Sequence, residues 1–478
     1  MQRNIYLLRP LRFVRGARKG DTAMSTQPES GIAFYLAKQV ERIQSNRFSR
    51  EDHLLIRQHL LDAIASAFIG CRNPAFQSLA RLAPRCTDGC AWPGGGAERV
   101  HPFDGSMLWA FAINGSVFED GSREGACHPA AVVIPTVIAL SEGKDWEQID
   151  RAILAGYEVM VRLSRSGNPE FTRRGFHPTA ITAPLGAAAT ASSLWGYDAG
   201  KIRNALCLAA IGGAGLMASF RSGETQPLQV SGSVRNGMVA AAMAGMGCSG
   251  YPRILEEGFY PAYLGGPPRI PVDQPLEFEY AIRGSYLKPY PGCRHVHPAI
   301  DALGEILQGQ EIDPSAIQKI RVRTYKIAVE TEIHDVHRRG DAYFNIPYAL
   351  AARMALGRAD WESFDEKHFQ NERLVAIMKK VQVMIDPNVE SQYPRQRGAM
   401  VEIHLRDGKV LSGGVNHPLG EPENPLPSSN TREKFRKTAG IFLSPRALKK
   451  IETVLDVGGK TEPPKRLFDA LGETAHGQ

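Results

Sequence analysis

Residues 179–219 read TAITAPLGAAATASSLWGYDAGKIRNALCLAAIGGAGLMAS, and a second stretch of the same kind runs from Val234 to Gly247. Alanine and glycine crowd both stretches at the expense of bulky side chains. Because small side chains let helices approach closely, these stretches predict a tightly packed helical core. The most apolar window, Ala205 to Ala218, has fourteen residues, which is too short for a membrane helix of about eighteen or more. We therefore expect this window to form a buried helix.

Helical periodicity continues ahead of this core. Ser49, followed by Glu51 and Asp52, is typical of a helix start. Apolar residues recur at helical spacing after it and in three later segments. Helices are therefore predicted over Ser49–Ile69, Gly105–Val117, Ala130–Ser141 and Trp146–Ser164.

The pattern changes near residue 281. Alternating runs rich in β-branched residues predict strands over Lys319–Lys326, Val381–Asp386 and Met400–Leu405. Asp407-Gly408, which follows the last of these runs, is typical of a hairpin turn. Beyond a loop rich in glycine and proline, helical periodicity returns at Thr431–Leu443 and Pro445–Leu455.

These patterns predict a mostly α protein with one large, discontinuous all-helical domain and a smaller α+β lid domain. The helical domain is predicted to comprise residues 31–280. Its C-terminal return is predicted at residues 418–457, because the last helices are expected to rejoin the first ones. The lid is predicted at residues 281–417, and residues 1–30 are expected to be a disordered leader.

The positive charge of the chain is unevenly distributed. Its formal net charge is +7, but residues 1–23 hold six basic residues against Asp21 alone, so the remainder is nearly neutral. No basic stripe interleaved with aromatic residues is present, which argues against a nucleic-acid partner. The Arg-rich leader is either a transit segment or sequence ahead of a translation start at Met24. We expect the second alternative, and with it a cytoplasmic protein; a genuine transit segment would instead predict a mitochondrial one.

Cofactor signatures are weak throughout the chain. Seven cysteines form no C-x-x-C pair and no metal-ligand spacing with nearby histidines, so reduced thiols are expected. His295 and His297 give little support for a metal, because no third ligand is in evidence. Glycine-rich stretches lack the strand–turn–helix context of a dinucleotide fingerprint. Neither a metal nor an organic cofactor is therefore predicted.

Ionisable residues gather beside glycine and proline in four segments, where a rigid scaffold usually presents its reactive loops. These segments are residues 118–135, 173–184, 221–236 and 286–301. His128-Pro129 and His177-Pro178 each follow a polar loop and open an apolar or small-residue helix, where backbone N–H groups favour a bound anion. One such histidine alone is more often a structural residue at a helix start, but the repeated form favours function. Arg221 and Arg235 are either carboxylate-binding or solvated.

A resemblance to a known family rests on four passages, namely NGSVFEDGSREGACHPAAVVIPTVIAL (Asn114–Leu140), RGFHPTAITAP (Arg174–Pro184), TQPLQVSGSVRNG (Thr225–Gly237) and KPYPGCRHVHPAIDAL (Lys288–Leu303). In this order, and from about residue 31 to 457, the chain resembles the MmgE/PrpD family. That family includes 2-methylcitrate dehydratases, cis-aconitate decarboxylases and iminodisuccinate epimerases. The resemblance implies a helical domain built from both chain ends, an α+β lid, a homodimer, and chemistry without metal or organic cofactor.

The resemblance also implies where the site lies. Carried over by position, it indicates that the catalytic residues are Asp120, His128, His177 and Lys288. Residues expected to bind the carboxylic-acid substrate are Arg221, Gln226, Tyr290, Cys293 and Arg294. The shape of the pocket is expected to depend on lid residues His334, His337, Tyr343 and Asn345.

Three positions depart from the family pattern. The aspartate-rich stretch is reduced to Glu119-Asp120-Gly121, Gln226 stands where decarboxylase members have a lysine, and Cys293 stands where they have a pocket histidine. These departures weaken the decarboxylase interpretation. We therefore expect a hydro-lyase of the 2-methylcitrate dehydratase type, acting on a small di- or tricarboxylic hydroxy acid by acid–base chemistry. The alternatives, in order, are an epimerase or racemase, a cis-aconitate type decarboxylase and an inactive binding homologue.

Overall fold

The computed structural model describes residues 30–457 and 462–473, and helices dominate it. Helices α1–α10 are Ile32–Ser45, Arg50–Gly70, Pro74–Leu82, Pro102–Gly115, Ala130–Leu140, Trp146–Gly167, Glu170–Arg173, Pro178–Leu194, Ala199–Ala209 and Leu228–Gly245. Helices α11–α20 are Tyr260–Leu264, His297–Leu307, Lys326–Glu330, Arg339–Ala342, Ile346–Ala355, Glu372–Met378, Pro387–Gln392, Ser428–Ala439, Pro445–Val454 and Lys465–Ala470. The predicted mostly α class is confirmed, whereas residues 1–29 of the predicted leader lie outside the described residues.

Strands are short and few by comparison. Strands β1–β8 are Arg85–Cys86, Arg99–Val100, Gly121–Ser122, Ser285–Tyr286, Ile317–Thr324, Val381–Ile385, Ala399–Leu405 and Val410–Val415. The last four form one sheet of order β6-β5-β7-β8, in which β5 runs parallel to β6 and antiparallel to β7. The predicted hairpin joins β7 to β8 through Gly408, whose φ of 89° favours glycine. The three predicted strands are therefore confirmed, with small shifts at their ends.

Helix α8 lies at the centre of the larger core, and all of its residues are buried. Glycines on two neighbouring helices explain the close packing. A Cβ at Gly156 of α6 would stand 2.1 Å from Thr190 Oγ1, and a Cβ at Gly237 of α10 would stand 2.2 Å from the Pro184 carbonyl oxygen. Both distances lie far inside van der Waals contact, so only glycine lets these helices reach α8. The predicted small-residue core is confirmed.

The predicted helix over Ala205–Ala218 is wrong in its second half. Helix α9 ends at Ala209, and the chain continues as a loop in which Ile211 is 76% exposed. The loop is rich in glycine, which is a poor helix former. A Cβ at Gly213 would stand 2.5 Å from the Ile181 carbonyl oxygen, so the loop passes directly over α8. The high apolar content of this window therefore does not correspond to one continuous helix, and not all of its side chains are buried.

Buried apolar side chains form two large clusters. The larger one draws on helices α1–α11 and on Phe435, Ile451 and Leu467 of the three C-terminal helices, which therefore pack on the N-terminal part of the chain. The smaller one lies between the four-stranded sheet and helices α12, α15 and α16. The short ladder of β3 with β4 joins a loop of the first part to the segment that leads into the second.

Within the described ranges, no single helix is long and apolar enough to cross a membrane, and only α2 with α3 meets that criterion, as a pair bent by 97°.

Candidate active site

The ladder of β3 with β4 sets the geometry of the candidate site. Gly121–Ser122 pairs antiparallel with Ser285–Tyr286. Counting two residues outward along this register brings Glu119 opposite Lys288. The Lys288 Nζ lies 3.8 Å from Glu119 Oε2, and both side chains are almost completely buried. A buried ammonium and a buried carboxylate therefore face each other beside the ladder.

Lys288 is held at this place by the backbone of the Glu119 loop. Its Nζ donates a hydrogen bond of 3.1 Å to the Val117 carbonyl oxygen, which also accepts from the Gly292 N–H at 2.9 Å. Val117 has a φ of 50°, an unfavourable conformation for a β-branched residue. Such strain persists only where surrounding contacts hold it, and it is common at functional sites. The side chain of Lys288 is 1% exposed, so its charge is fixed in position.

Glu119 connects the ladder to the segment that leads into helix α10. Its Oε1 accepts from Asn114 Nδ2 at 3.1 Å, and the Asn114 Oδ1 accepts from Gln226 Nε2 at 3.1 Å. The Glu119 Oε2 is buried and accepts no hydrogen bond from the described residues. His128 Nδ1 lies 3.6 Å from Glu119 Oε1. Glu119 is therefore the carboxylate that faces both Lys288 and His128.

Asp120, which the sequence analysis placed in the pocket, points elsewhere. It is completely buried and accepts hydrogen bonds from His59 Nδ1 at 2.9 Å, the Tyr157 hydroxyl at 2.6 Å and the Ala130 N–H at 3.0 Å. Burial opposes its ionisation, but the hydrogen bonds from His59 and Tyr157 outweigh burial and lower its pKa. This saturated carboxylate anchors the start of α5. We therefore assign it a supporting role, and Glu119 takes the predicted place of the pocket carboxylate.

His128 lies just ahead of α5 and is about one-quarter exposed. Its Nδ1 lies 2.6 Å from the Asp120 carbonyl oxygen, which can only accept, so Nδ1 carries the proton and Nε2 carries a lone pair. Its backbone N–H donates to Thr179 Oγ1 at 3.2 Å, which ties this loop to α8. Burial lowers its pKa, while the charges of Glu119 and Lys288 act in opposite directions. Neutral His128 thus offers a base.

His177 is the residue immediately before α8 and is 5% exposed. Its backbone N–H donates to the Gly215 carbonyl oxygen, its Nδ1 lies 3.1 Å from Gln229 Nε2, and its ring packs edge-on against Phe220. Burial, and then the charge on His128, lower the pKa of His177 to about 3. The His128 N–H donates to Thr179 Oγ1, two residues after His177, so the loop of His128 packs against the start of α8.

Two of the predicted substrate-binding residues lie beside this group. Gln226 is 6% exposed and bonded to Asn114, as described above. Cys293 is partly buried, and burial raises the pKa of its thiol while the charge of Lys288 lowers it. The structure therefore brings His128 and Lys288 together around Glu119, with Gln226 linked to Glu119 through Asn114 and Cys293 adjacent to Gly292, which shares the Val117 carbonyl oxygen with Lys288.

The other predicted substrate-binding residues are engaged elsewhere or exposed. Arg294 donates to Glu421 Oε1 at 3.0 Å, to the Leu419 carbonyl oxygen and to the Pro418 carbonyl oxygen. It thereby fastens the segment after the sheet, and we do not carry it forward as a substrate ligand. The Tyr290 hydroxyl donates to Asp301 Oδ1 at 2.9 Å, and Arg221 is exposed.

Some of the predicted lid residues are exposed, and others are buried and hydrogen-bonded within their own segment. His334 is a largely exposed side chain, with 81% of its surface accessible, whereas Tyr343 and Asn345 are buried. Asn345 Nδ2 donates to the Ile333 carbonyl oxygen, and the His337 N–H donates to Asp341. These contacts lie within residues 333–345 and fix the local structure of that segment.

The described residues contain no group of three or more His, Cys, Asp or Glu side chains placed to hold a metal ion. His295 and His297, considered above as ligands, contact separate partners. His295 Nδ1 lies 2.7 Å from the Tyr325 hydroxyl, and His297 Nδ1 lies 3.0 Å from Arg294 Nη1.

Sequence reasoning missed three supporting residues. Gln229 lies in the first turn of α10, three positions after Gln226, which precedes that helix, so its closeness in sequence to a predicted site residue was the available signal. His59 and Tyr157 belong to helices far from any of the four reactive segments, and nothing in the sequence connects them to Asp120.

Two family models match the chain, the MmgE/PrpD N-terminal domain over residues 35–270 and the MmgE/PrpD C-terminal domain over residues 290–457. A cis-aconitate decarboxylase of Mus musculus is 24% identical over 84% of this chain and 85% of the relative. One from Aspergillus terreus is 25% identical over 83% and 86%, and one from Homo sapiens is 23% identical over 81% and 83%. Since the two models together span most of the described residues, the chain belongs to the MmgE/PrpD family.

Proposed function

We propose that the protein is a lyase that acts on a small di- or tricarboxylic acid without a cofactor. The observation that carries this proposal is the meeting of a neutral imidazole base, His128, with the buried ammonium of Lys288 and the carboxylate of Glu119. Removing a proton or CO₂ next to a carboxylate builds negative charge that water stabilises poorly. A base can accept the proton, and a fixed cation can stabilise the negative charge that develops.

The first candidate reaction is the elimination of water from a hydroxy acid of the 2-methylcitrate type. In this proposal His128 Nε2 takes the proton from the carbon beside a carboxylate, and Lys288 binds that carboxylate as charge accumulates on it. The electron pair of the C–H bond forms the alkene, and the hydroxyl leaves as water after it receives a proton. Burial lowers the pKa of His128 below the ordinary value of about 6.5, so the ring is neutral and able to accept a proton at neutral pH.

The second candidate reaction is decarboxylation, which the names of the relatives favour. The relatives are cis-aconitate decarboxylases, and they match more than four-fifths of the chain. Against this alternative, an uncharged amide stands at Gln226 and a thiol with a raised pKa at Cys293. The pocket therefore offers less positive charge for a second carboxylate than a lysine and a histidine at these places would.

A panel of di- and tricarboxylates in deuterated water, followed by NMR, tests the proposal. An alkene formed with loss of the hydroxyl supports dehydration, and release of CO₂ supports decarboxylation. Deuterium incorporation without either product would instead indicate an epimerase. A panel that gives no turnover and no exchange would leave only the inactive binding homologue.

A matched pair of lysine variants separates catalysis by this protein from contamination. Lys288→Met removes the buried ammonium and is expected to lower turnover by on the order of 100-fold. Lys326→Met removes an exposed lysine that pairs with Glu330 on α13, and it is expected to leave turnover unchanged. Equal activity in both variants would contradict the assignment of Lys288.

A further inference from the structure

We propose that Gln229 is a positioning residue that holds His177 in the tautomer with its proton on Nε2, which makes His177 a hydrogen-bond donor to the leaving group in a reaction whose base is His128. The catalytic consequence rests on the proposed lyase function. The tautomer itself does not, because it follows from hydrogen bonds within the chain.

The orientation of the Gln229 amide is fixed by a backbone group. The Leu216 N–H lies 2.8 Å from Gln229 Oε1, and a backbone N–H can only donate. The atom that faces Leu216 is therefore the amide oxygen, and the amide NH₂ faces His177. At 3.1 Å from His177 Nδ1, that NH₂ can only donate as well. Nδ1 must accept, so in the neutral ring the proton sits on Nε2.

The loop after α9 closes this arrangement into a ring of hydrogen bonds. The His177 N–H donates to the Gly215 carbonyl oxygen, and the neighbouring Leu216 N–H donates to Gln229, which donates back to the His177 ring. A Cβ at Gly215 would stand 2.4 Å from Ala180 Cβ, so only glycine lets the loop lie this close to α8. The loop thus holds both the backbone and the ring of His177.

The two pocket histidines carry opposite tautomers. His128 donates from Nδ1 to a carbonyl oxygen and keeps a lone pair on Nε2. His177 accepts at Nδ1 and keeps a proton on Nε2. His128 can therefore take the proton from the substrate carbon and pass it to the leaving hydroxyl, which departs as water, while the Nε2–H of His177 donates a hydrogen bond to that oxygen; both imidazoles end the step neutral. This division of roles suits an elimination, which needs a proton acceptor at the carbon and a hydrogen-bond donor at the departing oxygen.

Nitrogen NMR of protein labelled with ¹⁵N-histidine tests the tautomer directly. The signals of His177 are assigned by their loss in His177→Asn. At pH 8 in the wild-type protein, we expect a protonated Nε2 and an unprotonated Nδ1 for this residue. The reverse pattern would overturn the inference, whatever the protein catalyses. The expected pattern in a protein that turns over no carboxylate would remove the proposed function and leave the tautomer assignment standing.

Two variants of Gln229 separate a tautomer role from a merely structural one. Gln229→Glu keeps an acceptor for the Leu216 N–H but, once ionised, cannot donate to His177, so it favours a proton on Nδ1. Gln229→Met loses both hydrogen bonds and leaves the neutral ring free to carry its proton on either nitrogen. We expect kcat at pH 8 to fall by on the order of 100-fold in the glutamate variant and clearly less in the methionine variant.

The pH profile of the glutamate variant supplies a second signature. The titratable group whose charge acts on His177 is His128, and the other contacts of the ring, Phe220 and Gln229, are uncharged. With Glu at position 229, kcat should recover as the pH falls, because doubly protonated His177 again carries a proton on Nε2. If the methionine variant is the more impaired of the two, or if the glutamate variant shows no such recovery, the positioning role is wrong.

Discussion

Glu119 Oε2 and Lys288 Nζ lie 3.8 Å apart in a buried site, and the ladder of β3 with β4 places them there. The two residues come from distant parts of the sequence, on either side of the small-residue core. Their proximity means that the charge of each compensates the burial of the other. It also means that removing Lys288 should affect both turnover and the stability of the ladder.

Lys288→Met is expected to destabilise the protein as well as impair it. The variant leaves the Glu119 carboxylate buried without a counter-charge, which typically costs about 3 to 5 kcal/mol. Adding Glu119→Gln should recover most of that stability, because no unpaired charge remains, but should not restore turnover. Urea unfolding of the single and double variants measures the first effect, and the carboxylate assay the second. Equal stability of the two variants would show that the pair does not interact.

The buried pair of Lys434 with Asp62 makes a second prediction. Lys434 Nζ on α18 donates to Asp62 Oδ1 on α2 at 2.8 Å and to the Phe118 carbonyl oxygen at 2.6 Å. Lys434→Met is expected to lower the free energy of unfolding by about 3 kcal/mol or more, because Asp62 then stays buried without its cation. Lys437→Met, on the same helix but exposed, is the control and should change stability by less than about 0.5 kcal/mol.

The pH dependence of stability should reflect His177. Its pKa is about 3 in the folded chain, against about 6.5 in an unfolded chain. Between these values the unfolded chain binds a proton that the folded chain does not. Stability is therefore fully present above pH 6.5 and falls as the pH drops towards 3. In urea unfolding at several pH values, His177→Gln should show a shallower decline over this range. An unchanged slope would contradict the buried neutral histidine.

Two glycines of α10 provide a matched test of the helical core. Gly237→Ala would place a Cβ 2.2 Å from the Pro184 carbonyl oxygen, and we expect a loss of about 1 to 3 kcal/mol. Gly232→Ala meets nothing within 4 Å on the same helix, and alanine is the better helix former, so a gain of about 0.5 to 1 kcal/mol is expected. Thermal unfolding of both variants checks the opposite signs. Destabilisation by Gly232→Ala would refute the packing argument.

Sequence patterns predicted much of the architecture because they report on local preferences. Alternation and the Asp407-Gly408 turn predicted the hairpin of β7 with β8, and helical spacing predicted α5, α6 and α19. The same reasoning failed at Ala205–Ala218, where an apolar run contains the end of α9 and a loop. Hydrophobicity cannot distinguish a buried helix from a glycine-rich loop that lies over a neighbouring helix.

The sequence by itself determined the helical class and the strands of the four-stranded sheet, because periodicity and turn chemistry are local properties. Its ordered motifs also determined which segments supply His128, His177 and Lys288. Only the tertiary structure decided that Glu119, and not the adjacent Asp120, faces Lys288. The chain bends at Glu119 just ahead of β3, and the Glu119 carboxylate faces Lys288 while that of Asp120 accepts hydrogen bonds from His59 and Tyr157. The tertiary structure also decided that Arg294 binds the segment after the sheet, and it decided which groups each histidine ring contacts. Hydrogen bonds between distant segments exist only once the chain has folded.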